Sequence, residues 1–224
     1  MPYGVGVLRA VVFDLFNTLV DDLSDGRVEV LRLMAGDLGA DPDQFVERFH
    51  ETYPQRIIGV PATLAEQCRQ TAEYVGERPG PTQIDAAVQR RLAFNRQLFT
   101  VPRTTLRVLH QLRDDCFAVG MISNLTPDSA TVLRETSLPG MIDALALSCE
   151  LGVAKPDPAI YRSVIDQLGL TPQECLFVGD GADGELRGAE AVGMRALQIC
   201  EFADSDPTWD GPTIARLSEL VDHL

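Results

Sequence analysis

Short apolar runs alternate with helical patterns along most of this chain, and that alternation leaves it few folds. The runs are Ala10–Asp14, Ala118–Ser123, Ala144–Ser148, Cys175–Gly179 and Ala196–Cys200. Each is a brief apolar stretch bounded by polar residues, which is how a buried strand reads. Helical patterns cover Thr104–Arg113, Thr126–Thr136, Asp157–Leu168 and Glu185–Val192. Thr126-Pro127-Asp128 and Asp157-Pro158 are helix starts, and Gly169 and Gly193 are stops. Strands alternating with helices of this length mean βαβ units around a parallel sheet, an α/β doubly wound fold.

The interval from Asp21 to about Thr100 breaks that rhythm. It holds no convincing strand. Amphipathic patterns over Val28–Leu38, Gln44–Thr52, Leu64–Val75 and Gln83–Leu98 are separated by Asp41-Pro42, Val60-Pro61 and Arg78-Pro79-Gly80-Pro81. We therefore expect residues 21–100 to form an all-α cap domain, and residues 1–20 and 101–224 to form the α/β core. The cap should sit over the C-terminal ends of the strands, because the chain leaves the first strand there. Residues Asp204–Pro212 read as a loop and Ile214–Leu224 as a terminal helix.

Three strand ends carry chemistry. Asp14 closes the first run and is followed by Leu15-Phe16-Asn17-Thr18. A carboxylate at the C-terminal end of a strand lies where open α/β sheets bind ligands. Ser123-Asn124 closes the second run, and Gly179-Asp180-Gly181 the fourth. Lys155-Pro156 lies in a loop before a helix. The chain has 18 arginines and one lysine, Lys155. The position that kept Lys is a candidate for a place where a compact ammonium works and a planar guanidinium does not.

Net charge is −14, which argues against nucleic acid or an anionic membrane as partner. It does not exclude a small anionic substrate, because a few local cations can override the global field. Cys68, Cys116, Cys149, Cys175 and Cys200 are odd in number and show no CxxC spacing, so they read as reduced thiols of a cytoplasmic protein. No signal peptide and no membrane span are expected.

Taken in order, these residues resemble the haloacid dehalogenase-like superfamily of hydrolases, in the subgroup with a helical cap after the first motif. Asp14 to Thr18, Ser123-Asn124, Lys155-Pro156-Asp157-Pro158 and Gly179 through Glu185 are similar to its four motifs. The resemblance implies a Rossmann-like core, a Mg²⁺ cofactor and a small phosphorylated metabolite as substrate. It implies that Asp14 is the nucleophile, forming an aspartyl-phosphate. Lys155 would neutralise charge on Asp14 and the transferring group, and Ser123 and Asn124 would hold anionic oxygens. Asp14, the backbone carbonyl of Phe16, Asp180 and Glu185 would hold the metal. Asp183 is the alternative to Glu185, and also reads as a helix cap. Thr18 would tie the first loop together through its hydroxyl and lie beside the substrate. Asn17 would tolerate a left-handed backbone.

Phe16 departs from the pattern. Most phosphatases of the superfamily carry a second Asp there as general acid–base, a role worth ~10²–10⁴-fold. Two other readings follow from it. One is a metal-free 2-haloacid dehalogenase, whose members also carry a non-acidic residue at this position. The other is an impaired relative acting as a binding module. Arg27, Arg48, Arg56 and Arg96 could reach an anionic substrate from the cap. His50, His110 and His223 fall in no constellation and read as surface or packing residues. A homodimer stays open as the mode of self-association.

Overall fold

The computed structural model describes residues 7–22, 26–203 and 206–224. The first two residues of the loop expected over Asp204–Pro212 lie outside them, as does the start of the 1–20 segment. Six parallel strands form one sheet in the order β3-β2-β1-β4-β5-β6. They are β1 (Ala10–Phe13), β2 (Ala118–Ser123), β3 (Ala144–Leu147), β4 (Cys175–Gly179), β5 (Arg195–Ile199) and β6 (Thr213–Ile214). β1 lies at the centre, with Phe13 opposite Met121 of β2 and Val178 of β4. The chain winds outwards to β3 on one side, then returns to β4 on the other. The strand order therefore reverses beside β1, which is where such sheets open a ligand crevice.

Alternation along β1 sends side chains to both faces of the sheet. Val11 and Phe13 join a core with Leu109 and Leu112 of α6 (Arg103–Asp114). Ala10 and Val12 join a second core with Ile160, Tyr161 and Val164 of α9 (Pro158–Leu168), and with Leu186 of α10 (Glu185–Ala191). Gly120 of β2 is glycine because α9 packs onto it. A Cβ there would stand 2.8 Å from a methyl of Val164 and 3.1 Å from one of Val12.

Between β1 and β2 run α1 (Arg27–Leu38), α2 (Pro42–Glu51), α3 (Tyr53–Arg56), α4 (Leu64–Tyr74) and α5 (Pro81–Leu98). They share a separate core that includes Leu31, Met34, Leu38, Phe45, Phe49, Cys68 and Ala87. Asp41 caps α2 by accepting from the Gln44 N–H, and Thr63 caps α4 through Glu66 N–H. The remaining helices are α7 (Pro127–Leu133) and α8 (Ser148–Leu151).

The terminal helix expected over Ile214–Leu224 forms only over Leu217–His223, and as a 3-10 helix. Ile214 instead pairs with Ile199 in β6. The edge of the sheet offers Ile214 a ladder partner and a buried site, which a helix there would forgo. Cys68, Cys116, Cys149 and Cys175 form no disulfide among the described residues. None of the described helices is long and apolar enough to cross a membrane.

Candidate active site

The C-terminal ends of β1, β2 and β4 meet the helical layer around a cavity of about 350 Å³. Asp14 follows β1 directly, held by its N–H donating to Val178 O at 2.9 Å. Ser123, the last residue of β2, is buried and lines the same cavity, as do Phe16, Asn124, Lys155, Asp180 and Asp183. One carboxylate oxygen from each of Asp14, Asp180 and Glu185 lies within 4.8 Å of the others, and all three residues are buried. Glu185 opens α10 and is fully enclosed.

Lys155 reaches into this group. Its Nζ donates both to Asp14 Oδ1 and to Glu185 Oε2, and it lies 5.9 Å from the centre of the Phe177 ring. A compact ammonium fits that gap between two carboxylates and a ring. Burial opposes its charge, but Asp14 and Glu185 outweigh burial and hold Lys155 protonated beyond the ordinary lysine range. The same burial raises the carboxyls. Asp14 is pushed up by desolvation, which Lys155 opposes and Asp180 reinforces. Glu185 is pushed well up by desolvation and by Asp14, again against Lys155.

Three carboxyl groups thus gather in a buried space, two of them bonded to one ammonium. Clustered hard oxygen donors suit a divalent cation, so the donor set fits a metal of the Mg²⁺ type. Asn17 and the backbone position the acids. Asn17 has φ 57°, the left-handed geometry anticipated for it, and its Nδ2 donates to Asp180 Oδ2 at 3.1 Å. Gly181 N–H donates to Glu185 Oε1 at 3.1 Å, and Ala182 N–H to Asp180 Oδ1 at 3.1 Å.

Several expectations change. The Thr18 hydroxyl ties nothing together: it is fully buried, and its oxygen has no hydrogen-bond partner among the described residues. The loop is closed instead by Leu19 and Val20 N–H groups donating to Leu15 O, at 2.9 and 3.0 Å. The Asn124 amide is occupied by protein. It accepts from Lys155 N–H at 2.8 Å and donates to Lys155 O at 3.2 Å and to Asp183 Oδ2 at 3.1 Å. Asp183 is thus a partner of Asn124 and not a side-chain cap of α10, whose N-cap is Gly184. Phe16 packs against Phe99, with ring centres 5.5 Å apart, under the guanidinium of Arg27.

Of the four cap arginines, Arg27 and Arg56 line the cavity. Arg48 and Arg96 pair with Glu51 and Glu135 on the outside. His50, read as a surface or packing residue, is exposed and also lines the cavity. Partial desolvation, with Arg56 and Arg91 nearby, lowers its pKa and keeps it neutral. Sequence reasoning missed Arg91 and Asp128. Arg91 of α5 pairs with Asp128 of α7 at 3.1 Å, both side chains buried, and Asn95 donates to the same carboxylate at 2.8 Å. Burial opposes ionisation of Asp128, but Arg91, Thr126 and Asn95 outweigh it and hold the carboxyl below its ordinary range. A signal existed. Ala87, Arg91, Asn95 and Leu98 form the buried face of α5, so a charge sits at the apolar spacing.

Residues 8–193 match the family model described as haloacid dehalogenase-like hydrolase. A glyceraldehyde 3-phosphate phosphatase of Methanopyrus kandleri is 26% identical over 96% of this chain and 97% of its own. Among solved structures, a 2-haloacid dehalogenase from Pseudomonas syringae pv. Tomato DC3000 superposes with a TM-score of 0.75 at 22% identity, covering 96% of this chain and 97% of that one. A family member from Bacteroides thetaiotaomicron, solved in complex with magnesium and inorganic phosphate, gives a TM-score of 0.68 at 21% identity, covering 91% and 98%. At these identities the two structures establish the shared fold.

Proposed function

Because the chain belongs to the haloacid dehalogenase-like hydrolases, we propose that it is a Mg²⁺-dependent phosphohydrolase of small phosphorylated metabolites. The observation that carries this is the buried cluster of Asp14, Asp180 and Glu185, with Lys155 bonded to two of the three. A divalent cation held by these residues would offset the charge of a phosphoryl group and of the nucleophile. The near full-length similarity to a phosphatase supports the same reading. In this proposal residues 1–20 and 101–224 carry the chemistry, and residues 21–100 act as a cap that selects substrate in the cytoplasm.

Lys155 engages Asp14 Oδ1, which leaves Oδ2 to attack phosphorus. The Asp14–phosphorus bond forms as the bond to the leaving oxygen breaks, and that oxygen takes the electron pair. Water then attacks the aspartyl-phosphate at phosphorus, releasing inorganic phosphate and restoring the carboxylate. Bound Mg²⁺, held by Asp14, the Phe16 carbonyl, Asp180 and Glu185, would neutralise the phosphoryl oxygens and lower the raised pKa of Asp14. Asn124 clamps the Lys155 backbone and so positions the ammonium, while Ser123 faces the phosphoryl oxygens. Phe16 moves no proton, so leaving groups that need no protonation, such as acyl phosphates, are favoured.

The test is phosphate release from acyl, aryl and sugar phosphates, with Mg²⁺ and with chelator, using Asp14→Asn as the blank. Mg²⁺-dependent release that disappears in Asp14→Asn is expected. Phe16 favours the dehalogenase as a second reading, and halide release from 2-haloacids in the presence of chelator would replace the phosphohydrolase with it.

A further inference from the structure

The residues matched to the family end at 193, yet a side chain beyond them reaches the turn that carries Asp180. Gln198 lies in β5, whose other buried residues are Ala196, Leu197 and Ile199. It is 4% exposed. Its strand partner in β4 is Gly179, the residue before Asp180. An amide buried among apolar neighbours costs free energy unless it is hydrogen-bonded, so an apolar residue would be the ordinary choice here.

The bonds of Gln198 explain the exception. Its Nε2 donates to Asp180 O at 3.2 Å and to Asp206 O at 3.1 Å, and its Oε1 accepts from the Thr213 hydroxyl at 3.4 Å. Backbone carbonyls can only accept, so the amide keeps one orientation, with its NH2 towards both loops. The two loops also touch. Gly181 has φ 98°, and a Cβ there would stand 2.6 Å from Asp206 Cβ. Asp206 is fixed in turn by Thr208, whose N–H and hydroxyl donate to Asp206 Oδ1 at 3.0 and 2.6 Å. The Asp180 carboxylate is aimed by Ala182 N–H and Asn17 Nδ2. Gln198 holds the backbone of that same residue from behind.

We infer that Gln198 is a positioning residue for the metal site. It ties the turn that carries Asp180 to the loop over residues 206–212, and so sets how tightly Asp14, Asp180 and Glu185 hold Mg²⁺. Groups that orient a metal ligand in this way typically contribute about 10- to 100-fold in affinity. A purely structural tie would lower the unfolding temperature and leave that affinity alone. The inference rests on the metal-binding part of the proposed function, and the substrate does not enter it.

Titration calorimetry of the full chain with MgCl2 tests this, together with the Mg²⁺ activation constant and KM for an aryl phosphate. Gln198→Met keeps the length of the side chain and removes both donors. Its Kd for Mg²⁺ should rise about 10- to 100-fold, and the activation constant with it, while KM at saturating Mg²⁺ stays unchanged. Gln198→Asn keeps the amide but draws it back by one methylene, and should fall in between. Thr213→Val removes the contact to Oε1 but neither donor bond, and should leave the Kd as it is. An unchanged Kd in whichever Gln198 variant folds overturns the inference, even if the melting temperature falls. Failure of both variants to fold also overturns it, since Gln198 is then a structural tie. An equal loss in Thr213→Val does the same, by tracing the effect to the sheet edge. If the wild type binds Mg²⁺ but releases no phosphate, only the phosphohydrolase reading falls, and the Kd comparison still decides. If the wild type binds no Mg²⁺, both are overturned.

Discussion

Gly179→Ala should inactivate the enzyme while leaving its sheet intact. Gly179 ends β4, and a Cβ built there would lie 2.0 Å from Glu185 Oε1 and 2.8 Å from its carboxyl carbon. A Cβ contact below 3.0 Å is not tolerated, so the carboxylate must retreat by about 1 Å. It is held where it is by Lys155 and by Gly181 N–H at 3.1 Å. A retreat of that size breaks or stretches both bonds, each worth ~1.5–3 kcal/mol for a charged group. Displacement by ~1 Å in a catalytic constellation costs about 10²-fold in rate, or ~2.7 kcal/mol of barrier. The expected outcome is a kcat lowered about 100-fold, with weaker Mg²⁺ activation and an unchanged circular dichroism spectrum. The double-mutant cycle isolates the cause. In a Glu185→Ala background, Gly179→Ala should cost little more, since only Phe177 Cε1 at 3.0 Å remains in the way. An equal penalty in both backgrounds would refute the argument that Gly179 makes room for Glu185.

Other substitutions probe separate parts of the structure. Asp128→Asn should destabilise the protein by about 3–5 kcal/mol in denaturant titrations, because it leaves the Arg91 charge buried and unpaired. The folded-state pKa of Asp128 is lowered, so its contribution is present above the unfolded value of 3.8 and lost as pH falls through the folded value. The gap between wild type and Asp128→Asn should therefore hold at neutral pH and narrow as pH falls below 3.8, and a gap that widens there would contradict the sign. Thr18→Val removes a buried hydroxyl with no partner, so unfolding should show a gain of up to about 1 kcal/mol, whereas a loss would mean that the oxygen is bonded in solution. Phe16→Asp should raise hydrolysis of alkyl phosphates more than that of acyl phosphates, and no change in that ratio would show that leaving-group protonation does not limit the rate.

What the sequence made legible was whatever depends on short-range pattern. β1, β2 and β4 announce themselves as apolar runs with polar ends, and Asp14, Ser123 and Asp180 at those ends fall together because strand ends in a parallel sheet share one edge. The lone Lys155 was visible as an exception to an arginine-rich composition. What escaped was either too short or too distant. β6 is two residues long, and α3 and α8 are single turns, so none carries a period. Arg91 and Asp128 are separated by 37 positions and meet only because α5 packs on α7. Thr18 looked like a loop tie because threonine bonds loops well, but the Leu15 carbonyl already accepts the bonds that close this one.

The site sets local cations among its acids against the negative charge of the whole molecule, and that has a measurable sign. The chain carries −14, so the proposed anionic substrate would be repelled on approach, yet Lys155 and Arg56 line the cavity. Long-range repulsion acts through solvent and is screened beyond a Debye length of ~8 Å at 0.15 M salt. The buried cations act at contact and are screened far less. Raising potassium chloride from about 10 to 150 mM, a span over which the Debye length shrinks from ~30 to ~8 Å, should therefore increase kcat/KM at fixed free Mg²⁺. An enzyme steered by an attractive field behaves in the opposite way. A fall in kcat/KM over this range would mean that the local cations dominate the field at encounter distance. The net charge would then have no bearing on substrate capture.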